Sequence, residues 1–120
     1  MKNILIVDDS PTIRRMVAAS LRSLQAQFEE AENGLAAIEN LSRHPVDLMI
    51  LDLNMPGMHG LEVLEFVRAH EKYRSIPIIV LTTKYDADSR ATAIAGGASL
   101  YMTKPFEPAA LLEQVSRFLS

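Results

Sequence analysis

Asn3-Ile4-Leu5-Ile6-Val7-Asp8-Asp9-Ser10-Pro11 is an apolar run closed by two aspartates and a helix-start signal. Unbroken branched aliphatics of this length read as a strand buried on both faces. Ser10 is a favoured N-cap, and Pro11 suits the first helical position, where its missing N–H costs nothing. A strand is therefore predicted over Asn3–Val7 and a helix from Pro11, with Asp8 and Asp9 at the join. Ile13, Met16, Val17, Leu21 and Leu24 keep helical spacing beyond it.

The same alternation runs through the chain. Phe28–Ala31 reads as a second, more polar strand near a sheet edge. Asn33-Gly34 turns into a second helix with Leu35, Ile38 and Leu41 on one face. Leu48–Leu51 is the third strand and Leu61–Arg68 the third helix. Ile76–Leu81 is the fourth strand, with Pro77 near its start, where a lost donor is tolerated. A fourth helix over roughly 86–95 ends at Gly96-Gly97. Leu100–Met102 is a short fifth strand. Pro108 opens a last helix with the stripe Leu111, Leu112, Val115, Phe118 and Leu119.

Apolar strands alternating with amphipathic helices imply an α/β fold whose parallel sheet is covered on both faces. In 120 residues these units fill one domain, over 1–120. Two strand orders are common in doubly wound sheets. The flavodoxin-like order 2-1-3-4-5, a (βα)5 arrangement, sets strands one and three side by side. It is borrowed from known sheets of this type, and it gathers Asp8, Asp9 and Asp52 at the carboxyl edge.

Composition narrows the function classes. An apolar fraction of 48% excludes general disorder, and no apolar stretch reaches membrane-spanning length. Zero cysteines exclude disulfides and thiolate metal sites. Twelve basic against fifteen acidic residues give a net charge of −3, which argues against a dedicated nucleic-acid binder. Arg14, Arg15 and Arg22 read as a solvated helix face. The first residues show no export pattern, so a cytoplasmic location is expected.

The chemistry lies at the strand ends. Alone, Asp8 or Asp9 would be an ordinary helix cap, and Asp52 before Leu53-Asn54-Met55-Pro56-Gly57 an ordinary turn residue. Together at one edge, three carboxylates repel one another and call for a cation, with oxygen-seeking Mg²⁺ the natural candidate. Thr82 and Lys104 end the fourth and fifth strands beside them. A hydroxyl and an ammonium next to a carboxylate-bound cation form a pocket for a phosphoryl group. Asp52 would be the nucleophile, forming an acyl phosphate that water later opens.

Asp8-Asp9-Ser10, Asp52 with Met55-Pro56-Gly57 and Gly60, Thr82, and Lys104-Pro105-Phe106 resemble the receiver domains of two-component response regulators. The resemblance spans about Ile4 to Leu119, and the ordered set is far more specific than any one motif. Asp8–Arg15, Glu29–Gly34 and Gly60–Ala69 look most like single-domain chemotaxis receivers. The resemblance implies phosphorylation of Asp52 by a histidine kinase. It implies Mg²⁺ held by Asp9, Asp52 and the Asn54 carbonyl, with Asp8 acting through water. Lys104 and Thr82 would contact the phosphoryl group, and Tyr101 would be the switch aromatic that turns inward on activation.

On the implied output face, Lys84, Arg90, Ile94, Tyr101 and Glu107 are expected partner contacts. Thr83, Lys84 and Asn54 stand where the family tunes access and phosphate lifetime. His59 replaces a frequent aspartate and is expected as an exposed loop residue, and His70 as a helix-end surface residue. Expected partners are a histidine kinase or histidine phosphotransfer protein upstream. Downstream, a flagellar switch component or a kinase is expected, with no nucleic acid and no membrane. A phosphorelay intermediate and a phosphorylation-independent adaptor are the alternatives. A flavodoxin would need a phosphate-cradling first loop, where Asp8 and Asp9 stand. A dehalogenase-type phosphatase would need its nucleophile on the first strand.

Overall fold

A computed structural model describes residues 1–84 and 86–120. Strands β1 (Asn3–Val7), β2 (Gln27–Ala31), β3 (Leu48–Leu51), β4 (Ile78–Thr82) and β5 (Leu100–Thr103) alternate with helices α1 (Pro11–Ser20), α2 (Gly34–Arg43), α3 (Gly60–Ala69), α4 (Ala87–Ala95) and α5 (Pro108–Leu119). A 3₁₀ turn over Arg22–Leu24 follows α1. The strands form one sheet in the order β2-β1-β3-β4-β5, and every neighbouring pair is parallel. The flavodoxin-like order expected from the sequence is the one observed.

Alternation along the strands feeds two cores. Leu5 and Val7 of β1 face the side where Ala37, Leu41, Val63, Leu64, Val67 and Ala93 of α2, α3 and α4 pack. Ile4 and Ile6 face the opposite side, against Val17 and Leu21 at α1 and Leu111 and Val115 of α5. Burying each of the large aliphatics contributes about 1.5–3 kcal/mol, so both layers are needed to hold the sheet.

The helix starts follow their local chemistry. The Ser10 hydroxyl accepts from Ile13 N, the Asn33 side chain from Ala36 N, and the Asp86 carboxylate from Ser89 N. Each satisfies one of the unpaired donors at a helix N-terminus.

Several expectations shift. β4 begins at Ile78, because Pro77 lies outside the strand and contributes only its carbonyl, which accepts from Met49 N at 2.9 Å. β2 and β5 each extend one residue beyond the expected range, to Gln27 and Thr103. The stripe of α1 omits Met16, which is 49% exposed while Val17 is fully buried. In α2 the inward face is Gly34, Ala37 and Leu41, and Leu35 is 59% exposed. The cause is close approach: a Cβ on Gly34 would lie 2.7–2.9 Å from Met58 atoms. Small residues let α2 come near the β3–α3 loop, and the larger Leu35 is turned outward.

Candidate functional site

Backbone ladders deliver the site residues to one edge. Asp8 N donates to Ala31 O (3.0 Å), Asp52 N to Val7 O (3.0 Å) and Lys104 N to Thr82 O (2.8 Å). Each residue sits one step beyond its strand yet remains bonded to the end of the neighbouring strand. Parallel pairing of β1 with β3 then sets Asp52 beside Asp8, although 44 residues separate them.

One carboxylate oxygen from each of Asp8, Asp9 and Asp52 lies within 4.8 Å of the others. Asp8 and Asp52 are buried, at 3% and 4% exposure, while Asp9 is exposed at the mouth. The Lys104 ammonium, also buried, lies 2.6 Å from Asp8 Oδ2 and 3.4 Å from Asp52 Oδ2. Three carboxylates against that ammonium leave two formal negative charges. A divalent, oxygen-seeking cation offsets that surplus, so the donor set fits Mg²⁺.

Burial lifts the Asp52 carboxyl above the ordinary aspartate range, and the neighbouring Asp8 charge adds to the effect. The Asn54 N–H, which donates to Asp52 Oδ1 at 3.1 Å, opposes it, as do Lys104 and the Thr82 hydroxyl. Asn54 itself is exposed beside the cluster. Thr82 is fully buried at the end of β4, and Thr83 and Lys84 after it are exposed.

Gly60 fixes the floor. A Cβ there would stand 2.3 Å from Asp52 O and 2.6 Å from Leu53 Cα. The first turn of α3 therefore presses directly on the backbone carrying Asp52, and only glycine fits. His59 before it is exposed, as expected, and its amide donates to Glu62 Oε1 at 3.1 Å.

Tyr101 lies on β5, away from the aspartates and towards α4. It is 5% exposed, and its hydroxyl donates to Lys84 O at 2.8 Å. The ring is thus turned inward, with the Arg90 guanidinium carbon 5.8 Å from its centroid. Burial, helped by Asp86, raises the phenol's pKa above its usual value of 10.0, and Arg90 partly offsets this. Of the expected partner contacts, Lys84, Arg90, Ile94 and Glu107 are exposed, whereas Tyr101 is inside.

One contributor escaped the sequence reading. Arg14 is not merely solvated: it donates to Asp8 O (2.6 Å) and pairs with Glu30 (2.6 Å), tying the β1–α1 loop to β2. Its position in the first turn of α1 was the available signal, but nothing in the sequence named the carbonyl it would meet. His70 is exposed at the end of α3 and stacks on Tyr73 at 4.3 Å, consistent with a surface role.

Residues 4–116 match the family described as response regulator receiver domain. The chain is 40% identical over 118 residues to a chemotaxis protein CheY homolog of Campylobacter jejuni, covering 97% of this chain and 91% of that protein. It is 36% identical over 115 residues to chemotaxis protein CheY-3 of Vibrio cholerae, covering 95% and 88%. Among solved structures, Vibrio cholerae CheY4 superposes with a TM-score of 0.91 at 36% identity, covering 99% of each chain. The chain belongs to the response regulator receiver domain family, and within it to the CheY-type chemotaxis receivers. Receivers of this family bind Mg²⁺ through an acidic pocket, and Asp8, Asp9 and Asp52 form such a pocket here. Among the described residues, no helix is long and apolar enough to cross a membrane.

Proposed function

We propose that the chain acts as a single receiver unit whose Asp52 accepts a phosphoryl group from a phosphohistidine of a kinase or phosphotransfer protein. The observation that carries this reading is the buried Asp52 carboxylate, flanked by Asp8, Asp9, Thr82 and Lys104. In the transfer, an Asp52 oxygen forms the new P–O bond. The P–N bond breaks, and the imidazole nitrogen leaves with its electron pair. The mark is later removed by hydrolysis: water attacks phosphorus, the bond from phosphorus to the Asp52 oxygen breaks, and inorganic phosphate leaves with the carboxylate restored.

Asp9, Asp52 and the Asn54 carbonyl would hold Mg²⁺ directly, with Asp8 acting through water. The ion, when bound, would neutralise phosphoryl oxygens. Lys104 would shift from Asp8 towards the transferred group, and the Thr82 hydroxyl would donate to another oxygen. The reaction needs charge neutralisation and in-line positioning rather than a further acid or base.

Phosphorylation brings roughly two negative charges and strong acceptors next to Thr82. Drawing Thr82 towards them would favour the inward Tyr101 and reshape the face of α4, β5 and α5. Moving such an equilibrium from 1:99 to 99:1 would take about 5.5 kcal/mol, so a partial shift completed by the partner is the working expectation. The proposed output is docking to a flagellar switch component or a kinase in chemotaxis signalling, from a cytoplasmic location.

Intact-mass measurement after incubation with a small acyl-phosphate donor and Mg²⁺ tests the core of this reading. One phosphoryl increment, removed by hydroxylamine and absent from Asp52→Asn and from chelated samples, is expected. No increment with the donor or with a phosphorylated histidine kinase would overturn it.

A further inference from the structure

Charge differs along the strand axis. The edge where the strands end carries the aspartates with Arg14, Lys84 and Lys104, and the edge where they begin carries exposed Lys2, Arg22, Arg43, Lys72 and Arg74 against Asp47 and Glu71. On this second edge a cleft of about 430 Å³ opens between the α2–β3 and α3–β4 connections. Val46, Tyr73 and Ile76 line its apolar part, His44 adds a polar ring, and Arg43 and Lys72 bring positive charge to it. Its size falls in the range that encloses small organic ligands.

The cations are not all spoken for. His44 faces Glu29 at 3.2 Å. Among the described residues, neither Arg43 nor Lys72 has a carboxylate within ion-pair distance. Lys72 instead lies 5.8 Å from the centroid of Tyr73, whose ring is stacked on His70 at 4.3 Å. Arg43 in the last turn of α2 complements the carbonyl end of that helix, which accounts for its presence but does not occupy its fork of donors.

We infer that this cleft binds a small amphipathic monoanion, a flat apolar body bearing one carboxylate. The apolar lining takes the body, and Arg43 and Lys72 take the carboxylate through charge-assisted hydrogen bonds. The carbonyl end of α2 projects partial negative charge into the same region, and Arg43 in its last turn offsets it. The site lies at the opposite end of the strands from Asp52 and does not depend on the phosphorylation proposal.

The test is a titration of the ¹⁵N-labelled protein with 3-phenylpropionate, followed by backbone amide shifts, with 3-phenylpropanamide as the neutral control. Saturable shifts confined to residues 42–46 and 72–76 are expected. The amide should bind at least tenfold more weakly, and Arg43→Glu or Lys72→Glu should weaken the acid at least tenfold. Both positions are exposed, and the same spectra report whether each variant is folded. Should a charge reversal disturb the fold, Arg43→Gln and Lys72→Gln make the same comparison. Scattered or non-saturating shifts would overturn the inference, as would equal binding of acid and amide or affinity unchanged in the variants.

Discussion

Lys104 sits closer to Asp8 than to Asp52, the proposed acceptor: its ammonium is 2.6 Å from Asp8 Oδ2 and 3.4 Å from Asp52 Oδ2. The two aspartates leave the adjacent strands β1 and β3, and the lysine follows β5 at the far edge of the sheet. The ammonium is thus shared between the two buried carboxylates, with its shorter contact to Asp8.

Removing that ammonium should expose the repulsion it masks. Lys104→Met leaves Asp8 and Asp52 buried with no ion pair to Lys104, and breaking such a pair costs about 3–5 kcal/mol. Urea denaturation in the presence of chelator is expected to show a loss of that size. Adding Asp8→Asn should recover part of it, whereas strictly additive effects would contradict the coupling.

Asp52 is expected to work against folding when ionised. Its pKa is raised by burial, so the native state holds the proton more tightly than the unfolded chain. The contribution is therefore favourable at low pH and is lost as pH rises from the unfolded to the folded pKa. At neutral pH without divalent cation, Asp52→Asn should stabilise the protein by roughly 0.5–2 kcal/mol. Thermal melts with chelator check this, and the gain should shrink when Mg²⁺ is added.

Gly60→Ala should damage both fold and site. The new methyl would overlap Asp52 O, at 2.3 Å, and the backbone cannot yield without moving Asp52. Overpacking of this kind costs about 1–3 kcal/mol. Slower phosphorylation of a folded variant, measured by intact mass, is expected beside the lower melting temperature.

Tyr101 gives a second pH signature. Its phenol is buried and its pKa lies above 10.0, so ultraviolet titration should show one tyrosine ionising later than a free phenol. The native state again favours the protonated form, and folding stability should fall as pH rises from about 10. Tyr101→Phe should abolish the late titration. It also removes the hydroxyl bonded to Lys84 O, at a cost of about 1 kcal/mol.

Arg68 is expected to be the main polar fastening at the opposite edge. Its guanidinium donates to Gly97 O (2.8 Å), Ile76 O (2.7 Å) and Arg74 O (3.0 Å), joining α3 to two connections. Leaving such carbonyls unpaired costs about 1–3 kcal/mol each where they are buried. Arg68→Ala should therefore lose at least about 2 kcal/mol in chemical denaturation. Arg68→Lys should recover only part, because an ammonium cannot match the planar fork.

Much of this was legible in the chain. Ile4–Val7 and Leu48–Leu51 are unbroken apolar runs, and a strand buried on both faces uses such a run in so short a length. Ser10 announced its helix as an N-cap, because capping depends on residues three apart, and Asn33 and Asp86 cap theirs in the same way. Asp8, Asp9, Asp52, Thr82 and Lys104 were recognisable as a set because strand ends in a parallel sheet share one edge.

Which way the helices turned their stripes was not legible. Met16 and Leu35 have the right spacing and the right chemistry, yet both face solvent. The close packing of Gly34 on Met58 selects the face of α2, and that contact joins segments remote in sequence. The same holds for Arg14 on Asp8 O, Lys104 on Asp8, and the inward Tyr101 under Lys84.

Local chemistry, read along the chain, was enough for the elements and their succession along it. Those properties depend on neighbours a few positions apart. Tertiary structure alone decided which carboxylate Lys104 pairs with, how deep Asp52 and Tyr101 lie, and that Arg43 and Lys72 share a cleft. Each of these rests on distances between segments brought together only by the packing of the sheet and its two helical layers.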